Sequence, residues 1–215
     1  MKKVISLILA SVLALALIAC GAKETPTRET QNTPAPAPTE TPAMTVESAA
    51  ADTPQTGEGG VLVAYFSATG TTKGVAERLA SAVGGDLYEI VPAEPYSDAD
   101  LNWNDRESRS TKEQNDKSAR PGIASDTIDL SGYTTIYVGF PIWWGEEPRI
   151  LDTFAESYDF SGITLIPFCT SGGSGSGRSG QNLAQIAGSG NWLDGQRFAG
   201  GVSAAQLQTW IDTLQ

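Results

Sequence analysis

Residues 61–83 constrain the fold of this chain more than any other stretch. Val61-Leu-Val-Ala-Tyr-Phe66 is almost wholly apolar and rich in β-branched and aromatic residues, which suits a strand buried on both faces, as in a parallel sheet. Ser67-Ala68-Thr69-Gly70-Thr71-Thr72 then places four hydroxyls and one glycine in six positions. Val75, Leu79 and Val83, flanked by Ala76 and Ala80, recur at helical spacing. A strand that turns through such a loop into a helix makes an anion site, because the first-turn N–H groups lack helical partners and the macrodipole is positive there. The expected ligand is a phosphate held by neutral donors. The competing reading is an N-capped helix with a Thr-rich loop.

The same alternation of strand and helix runs through the rest of the chain. Gly84-Gly85 stops the first helix, and Asp86 to Val91 alternates weakly, as an outer strand would. Pro92 to Ser125 is long and polar, with a poorly marked helix somewhere in 105–117 and Trp103 assigned to packing within the loop. Tyr133 to Phe140 is a second apolar strand and leads into Pro141-Ile142-Trp143-Trp144-Gly145-Glu-Glu-Pro148. Pro148 opens a helix whose apolar face is Leu151, Phe154 and Tyr158. Ile163 to Phe168 is a further strand, ending in Cys169-Thr170-Ser171-Gly172-Gly173-Ser174-Gly175 and a short helix with Leu183 and Ile186. A last weak strand lies near 196–200. Ser203 and Gln206 then form a capping box before a helix bearing Leu207, Trp210, Ile211 and Leu214. The predicted fold is α/β: three layers, with about five parallel strands between helices.

The N-terminus belongs to targeting. Residues 1–19 combine Lys2-Lys3 with an apolar run and end in small residues before Cys20, a spacing that resembles the lipobox of bacterial lipoproteins. Cleavage there would leave Cys20 lipidated and the protein tethered to the membrane outside the cytoplasm. Residues 20–58 are rich in Pro and Thr and poor in bulky apolar side chains, so they read as a disordered tether. The folded domain is then 59–215, with ten basic against 19 acidic residues.

Charge and composition exclude several functions. The whole chain carries −11, which argues against nucleic acid. It contains no histidine, so Ser-His-Asp and Cys-His chemistry are unavailable. Two cysteines cannot form a metal cluster, and no metal site or catalytic residue is expected. Cys169 follows a buried strand and is expected to be an inert core thiol.

In doubly wound sheets ligands bind at the carboxyl ends of strands, where the winding reverses. Loops 67–72, 141–147 and 169–177 leave such ends and are expected to share one crevice. The first suits phosphate. Two adjacent tryptophans cannot easily both face a core, so at least one is expected to meet a planar ligand or a partner. The glycines of the third loop let backbone groups approach polar ring edges. Together these requirements describe a mononucleotide.

At these residues the domain resembles the flavodoxins. Ser67-Ala-Thr-Gly-Thr-Thr72 matches their phosphate loop at each defined position, Pro141-Ile-Trp-Trp-Gly145 resembles one flavin-flanking loop, and Thr170-Ser-Gly-Gly-Ser-Gly175 resembles the other. The resemblance implies a five-stranded sheet of order 2-1-3-4-5 and bound FMN. Ser67, Thr69, Thr71 and Thr72, with amides near Ala68 and Gly70, would hold the phosphate. Trp143 or Trp144 would stack on the isoalloxazine, and the peptide at Gly145 would turn its carbonyl toward N5–H after one-electron reduction. The acidic surface would lower the second reduction potential. The long segment 92–125 and the lipobox depart from the family pattern.

Gly175, Gly177 and Gly180, with Asp194, also spell a dinucleotide fingerprint, but too little chain follows for the second half of such a domain. The leading expectation is a monomeric, lipid-tethered FMN electron carrier docking on a redox protein with a basic face. The alternatives are an FMN-dependent NAD(P)H:quinone or other small-molecule reductase, and a scaffold lipoprotein with a vestigial site.

Overall fold

The computed structural model describes residues 59–214. The expected signal peptide at 1–19, Cys20 and the tether at 20–58 lie outside the described residues. In chain order the elements are β1 (Gly60–Tyr65), α1 (Thr71–Val83), β2 (Asp86–Glu89), α2 (Arg109–Asn115), β3 (Tyr133–Pro141), α3 (Arg149–Glu156), β4 (Thr164–Thr170), α4 (Ser179–Ala187), β5 (Asn191–Trp192), β6 (Gln196–Phe198) and α5 (Ala204–Asp212).

The sheet order is β2-β1-β3-β4-β5, with β6 also beside β4, and the ladders are parallel. The pleat sends alternate residues to opposite layers. Leu62, Ala64, Phe66, Ile136, Val138 and Phe140 join Ile150, Leu151 and Phe154 of α3 and Leu183 of α4 in one buried cluster. Val63, Tyr65, Tyr137, Ile166 and Phe168 join Val75 and Leu79 of α1 with Leu207 and Ile211 of α5 in the other. This is the expected three-layer fold, with β2 at an edge. The Ser203–Gln206 capping box opens α5 as its sequence requires.

The fifth strand differs from its expected single run. It is split into β5, opposite Thr164 and Leu165, and β6, opposite Phe168 to Thr170. Leu165 accepts a bond from the Leu193 N–H at 2.9 Å. Pro167, two residues on, faces the same neighbour and has no N–H to offer, so the ladder breaks there. Helix α3 ends at Glu156, leaving Tyr158 beyond it, where its ring packs on Phe154 and Phe160.

Segment 92–125 is closed at its base. The Ala93 N–H donates to Gly122 O and the Ala124 N–H to Val91 O, both at 2.8 Å. The chain thus leaves the sheet after β2, folds α2 above its carboxyl edge, and returns. Trp103 does not pack within it: the side chain is 72% exposed.

Gly139 marks the tightest point of the core. A Cβ there would lie 2.2 Å from the Phe168 ring, and such overpacking destabilises by about 1–3 kcal/mol. Gly139→Ala is expected to lower stability by that amount in urea unfolding, and Phe168→Leu in the same chain to restore part of it.

Candidate cofactor-binding site

The loop after β1 has the features an anion requires. Ser67 Oγ is buried with no hydrogen-bond partner. Gly70 has φ +82°, and its Cβ position faces open space. Helix α1 has no side-chain cap and no acidic residue in its first turn, so nothing competes for its free N–H groups. Thr69 and Thr71 place their hydroxyls 3.4 Å apart. Thr72 Oγ1 meets Thr170 Oγ1 at 2.9 Å, tying this loop to the end of β4; of the two protons in that pair, one remains to donate elsewhere. Lys73 turns away to Glu89 at 3.2 Å. A phosphate fits this loop through Ser67, Thr69, Thr71, Thr72 and the amides around Gly70.

The loop after β3 is a tight hairpin turn. Trp143 and Glu146 exchange both backbone hydrogen bonds at 3.0 Å. Trp144 and Gly145 between them have φ 49° and 83°, the paired left-handed geometry of a mirror-image two-residue turn. Glycine adopts it freely, whereas a tryptophan there is strained by roughly 1–2 kcal/mol. The two tryptophans divide their tasks. Trp143 packs edge-on against Phe66 and Tyr96, with ring centroids 5.6 and 5.2 Å away. Trp144 sits at the tip, 46% exposed, and is the ring free to stack.

This strained turn is held from beneath by charges. Glu147, Arg149 and Asp152 are buried. Arg149 lies 2.8 Å from Glu146, 3.4 Å from Asp152 and 3.8 Å from Glu147, and Arg120 approaches Asp152 at 3.8 Å. Asn182 of α4 donates to both Glu147 oxygens, at 3.2 and 3.3 Å. From α2, the Gln114 side-chain N–H groups reach Trp143 O and Glu147 O, both at 3.2 Å. Segment 92–125 therefore braces the tryptophan turn. The Arg149 hydrogen bond holds the Glu146 carboxyl below the usual range. Burial, then the neighbouring Glu147, pushes Asp152 up to about 6.

The loop after β4 completes the crevice. Ser171 Oγ donates to Ser174 O, and Arg197 of β6 donates to Ser171 Oγ at 3.2 Å and Ser171 O at 2.5 Å. A Cβ on Gly177 would meet Gly145 O at 2.9 Å, so the second and third loops touch. Cys169 is fully buried, and burial raises its thiol to about 11, as an inert thiol requires.

Two cavities meet at these loops. One of about 450 Å³ is lined by Thr69, Thr71, Thr170, Ser171, Gly172, Arg197, Ala199 and Gly200, with Pro141 to Trp143 as its wall. The other, about 360 Å³, shares that wall and is closed by Ser67, Ala68, Trp144, Leu101 and Trp103. Gly173, Ser174 and Gly175 line neither and are exposed. The sequence reading thus assembled the three loops but missed Leu101, Trp103, Gln114 and Arg197. Arg197 was accessible to the carboxyl-end rule applied to the fifth strand; Gln114 carries no sequence signal.

Residues 60–214 match the family model named Flavodoxin. The chain belongs to the flavodoxin family. Among solved structures this flavodoxin is similar to proteins named as flavoproteins from Bacteroides uniformis (47% identity, 72% of this chain and 98% of that one, TM-score 0.69) and Bacteroides eggerthii (45%, 72% and 97%, TM-score 0.68). It is also similar to a Lactobacillus acidophilus flavoprotein solved in complex with FMN (25%, 65% and 93%, TM-score 0.52). No functionally curated protein matches the sequence.

Two outcomes test the brace. Gln114→Ala leaves the buried Glu147 carbonyl without its side-chain donor, while Trp143 O keeps the Glu146 N–H; losing the one buried bond destabilises by about 1–3 kcal/mol, and thermal unfolding is expected to show that loss. Asp152 is protonated in both states below its ordinary value of 3.8, and only the unfolded chain ionises freely between there and about 6. Its contribution therefore makes stability fall as pH rises across that window, by about 2–3 kcal/mol in all. Asp152→Asn is expected to remove this fall and raise stability at pH 7, as read from urea unfolding at stepped pH.

Proposed function

We propose that this flavodoxin is an FMN-binding electron carrier tethered to the bacterial membrane through a lipid on Cys20. The observation that carries the cofactor reading is the buried, unpartnered Ser67 Oγ at the mouth of an uncapped helix, beside cavities walled by tryptophan. The FMN complex of the Lactobacillus acidophilus relative supports it. FMN supplies the capacity to take up and release electrons singly or in pairs. The chain's own residues bind, orient and shield: the hydroxyls of 67–72 hold phosphate, Trp144 covers a ring face, and Pro141 to Trp143 exclude water. The partner proposed is a redox protein with a basic docking face, met by a monomer whose domain is strongly acidic; the encounter is salt-sensitive. The lipobox spacing at Cys20 supports the anchor and an extracytoplasmic site.

A second reading, an FMN-dependent small-molecule reductase, draws support from Leu101 and Trp103. They wall a compartment of about 360 Å³ beside the phosphate loop, room for a small planar acceptor.

Stepwise anaerobic reduction of the FMN-loaded chain, followed by visible spectra with and without NADPH, separates the two. The carrier pauses at a one-electron stage and ignores NADPH; the reductase bleaches directly with NADPH. A chain that takes up no FMN rejects both. Trp144→Ala is expected to weaken FMN about three- to tenfold by fluorescence titration, the worth of an aromatic stack. Cys20→Ala is expected to move the protein from the membrane fraction to the soluble one.

A further inference from the structure

We propose that Arg197 is the positive group this site reserves for the reduced, anionic flavin ring, so that the chain binds reduced FMN more tightly than its acidic surface alone would permit. The proposal rests on the FMN reading above and adds a residue which that reading does not use.

Lys73, Arg109, Lys112, Lys117, Arg120 and Arg149 each lie within 4.0 Å of a carboxylate. Among the described residues Arg78, Arg106, Arg178 and Arg197 have no such partner, and of these four it is Arg197 that lines the cavity shared by Thr69, Thr71, Thr170, Ser171 and Gly172. Among the described residues no other arginine or lysine lines either cavity of the site. In a domain with 19 acidic residues, an arginine kept clear of all of them at the ligand crevice has a specific use.

Its geometry is set before any ligand arrives. Arg197 sits at the carboxyl end of the fifth strand, and its bonds to Ser171 Oγ and O fix the guanidinium plane. Those bonds use two of five N–H donors. The other three have no protein partner among the described residues. Ser171 belongs to the glycine-rich loop whose backbone can approach a polar ring edge, whereas the phosphate loop is served by hydroxyls and amides. Oxidised flavin is neutral. Uptake of two electrons and one proton leaves one negative charge shared along a ring edge of nitrogen and carbonyl oxygen, an edge that matches the planar fork of a guanidinium. The phosphate, by contrast, has the same charge in both states. A cation serving the ring therefore favours the reduced form selectively, and a cation serving the phosphate favours neither.

The test is titration of the full-length apoprotein with FMN, oxidised and then dithionite-reduced under anaerobic conditions, in the wild type, Arg197→Gln and Arg197→Lys. Glutamine keeps a donor for Ser171 and loses the charge; lysine keeps the charge and loses the fork. The expected result is a tenfold or greater loss of affinity for reduced FMN in Arg197→Gln, less than threefold for oxidised FMN, and recovery of most of the difference in Arg197→Lys. The midpoint potential of the bound flavin falls in step with that ratio. Equal weakening of both states overturns the proposal and leaves Arg197 as a phosphate ligand or an anchor of the 171–175 loop. Riboflavin separates those two, since only an anchor affects it. Unchanged affinity in both states also overturns it. A wild-type chain that binds no FMN in either state removes the cofactor reading itself, a distinct failure.

Discussion

The structure depends on the parallel ladder of β1, β3 and β4. Tyr65 pairs with Gly139, and Phe140 and Pro141 pair with Cys169 and Thr170. Because the strands run the same way and in this register, three loops of different chemistry leave the sheet at one level. The ladder is buried on both faces, so slipping it would expose apolar residues to one helix layer and empty the other. Core packing and site geometry are thus a single constraint. The Thr72–Thr170 hydroxyl pair is its most direct expression, since it exists only if the ends of β1 and β4 are correctly placed.

The tryptophan turn shows how strain at a site is supported from outside it. Trp144 holds a backbone geometry suited to glycine, and a short turn alone does not keep it there. Beneath it, three carboxylates surround Arg149, and Gln114 reaches from α2 to Trp143 O of the turn and to Glu147 O just beyond it. Burying charge is costly unless each partner is matched. Asp152 is the imperfect member, with Oδ1 unpartnered and its acidity weakened by burial and by Glu147. The long segment after β2 supplies part of that support.

Much of this was legible in the residues. The period of apolar side chains located β1, β3, β4 and α1, and the Ser203–Gln206 spacing located α5, because local sterics and hydrogen bonding decide those features. The phosphate loop was legible for the same reason: its function resides in one strand–turn–helix unit. Trp103 was misread as packing because exposure depends on what the rest of the chain places nearby. The break in the fifth strand was hidden because Pro167 acts on a neighbouring strand, not on its own.

The sequence by itself determined the alternation of strand and helix, the hydroxyl-rich loop at the head of α1, the absence of histidine chemistry and the acidic balance of the domain. These follow from residue type and short-range spacing. Only the tertiary structure decided which tryptophan faces the core and which the crevice, that segment 92–125 reaches the tryptophan turn, and that Arg197 stands among the ligand loops with no carboxylate partner among the described residues. Each of those depends on groups far apart in the chain meeting in space, and sequence separation carries no record of distance.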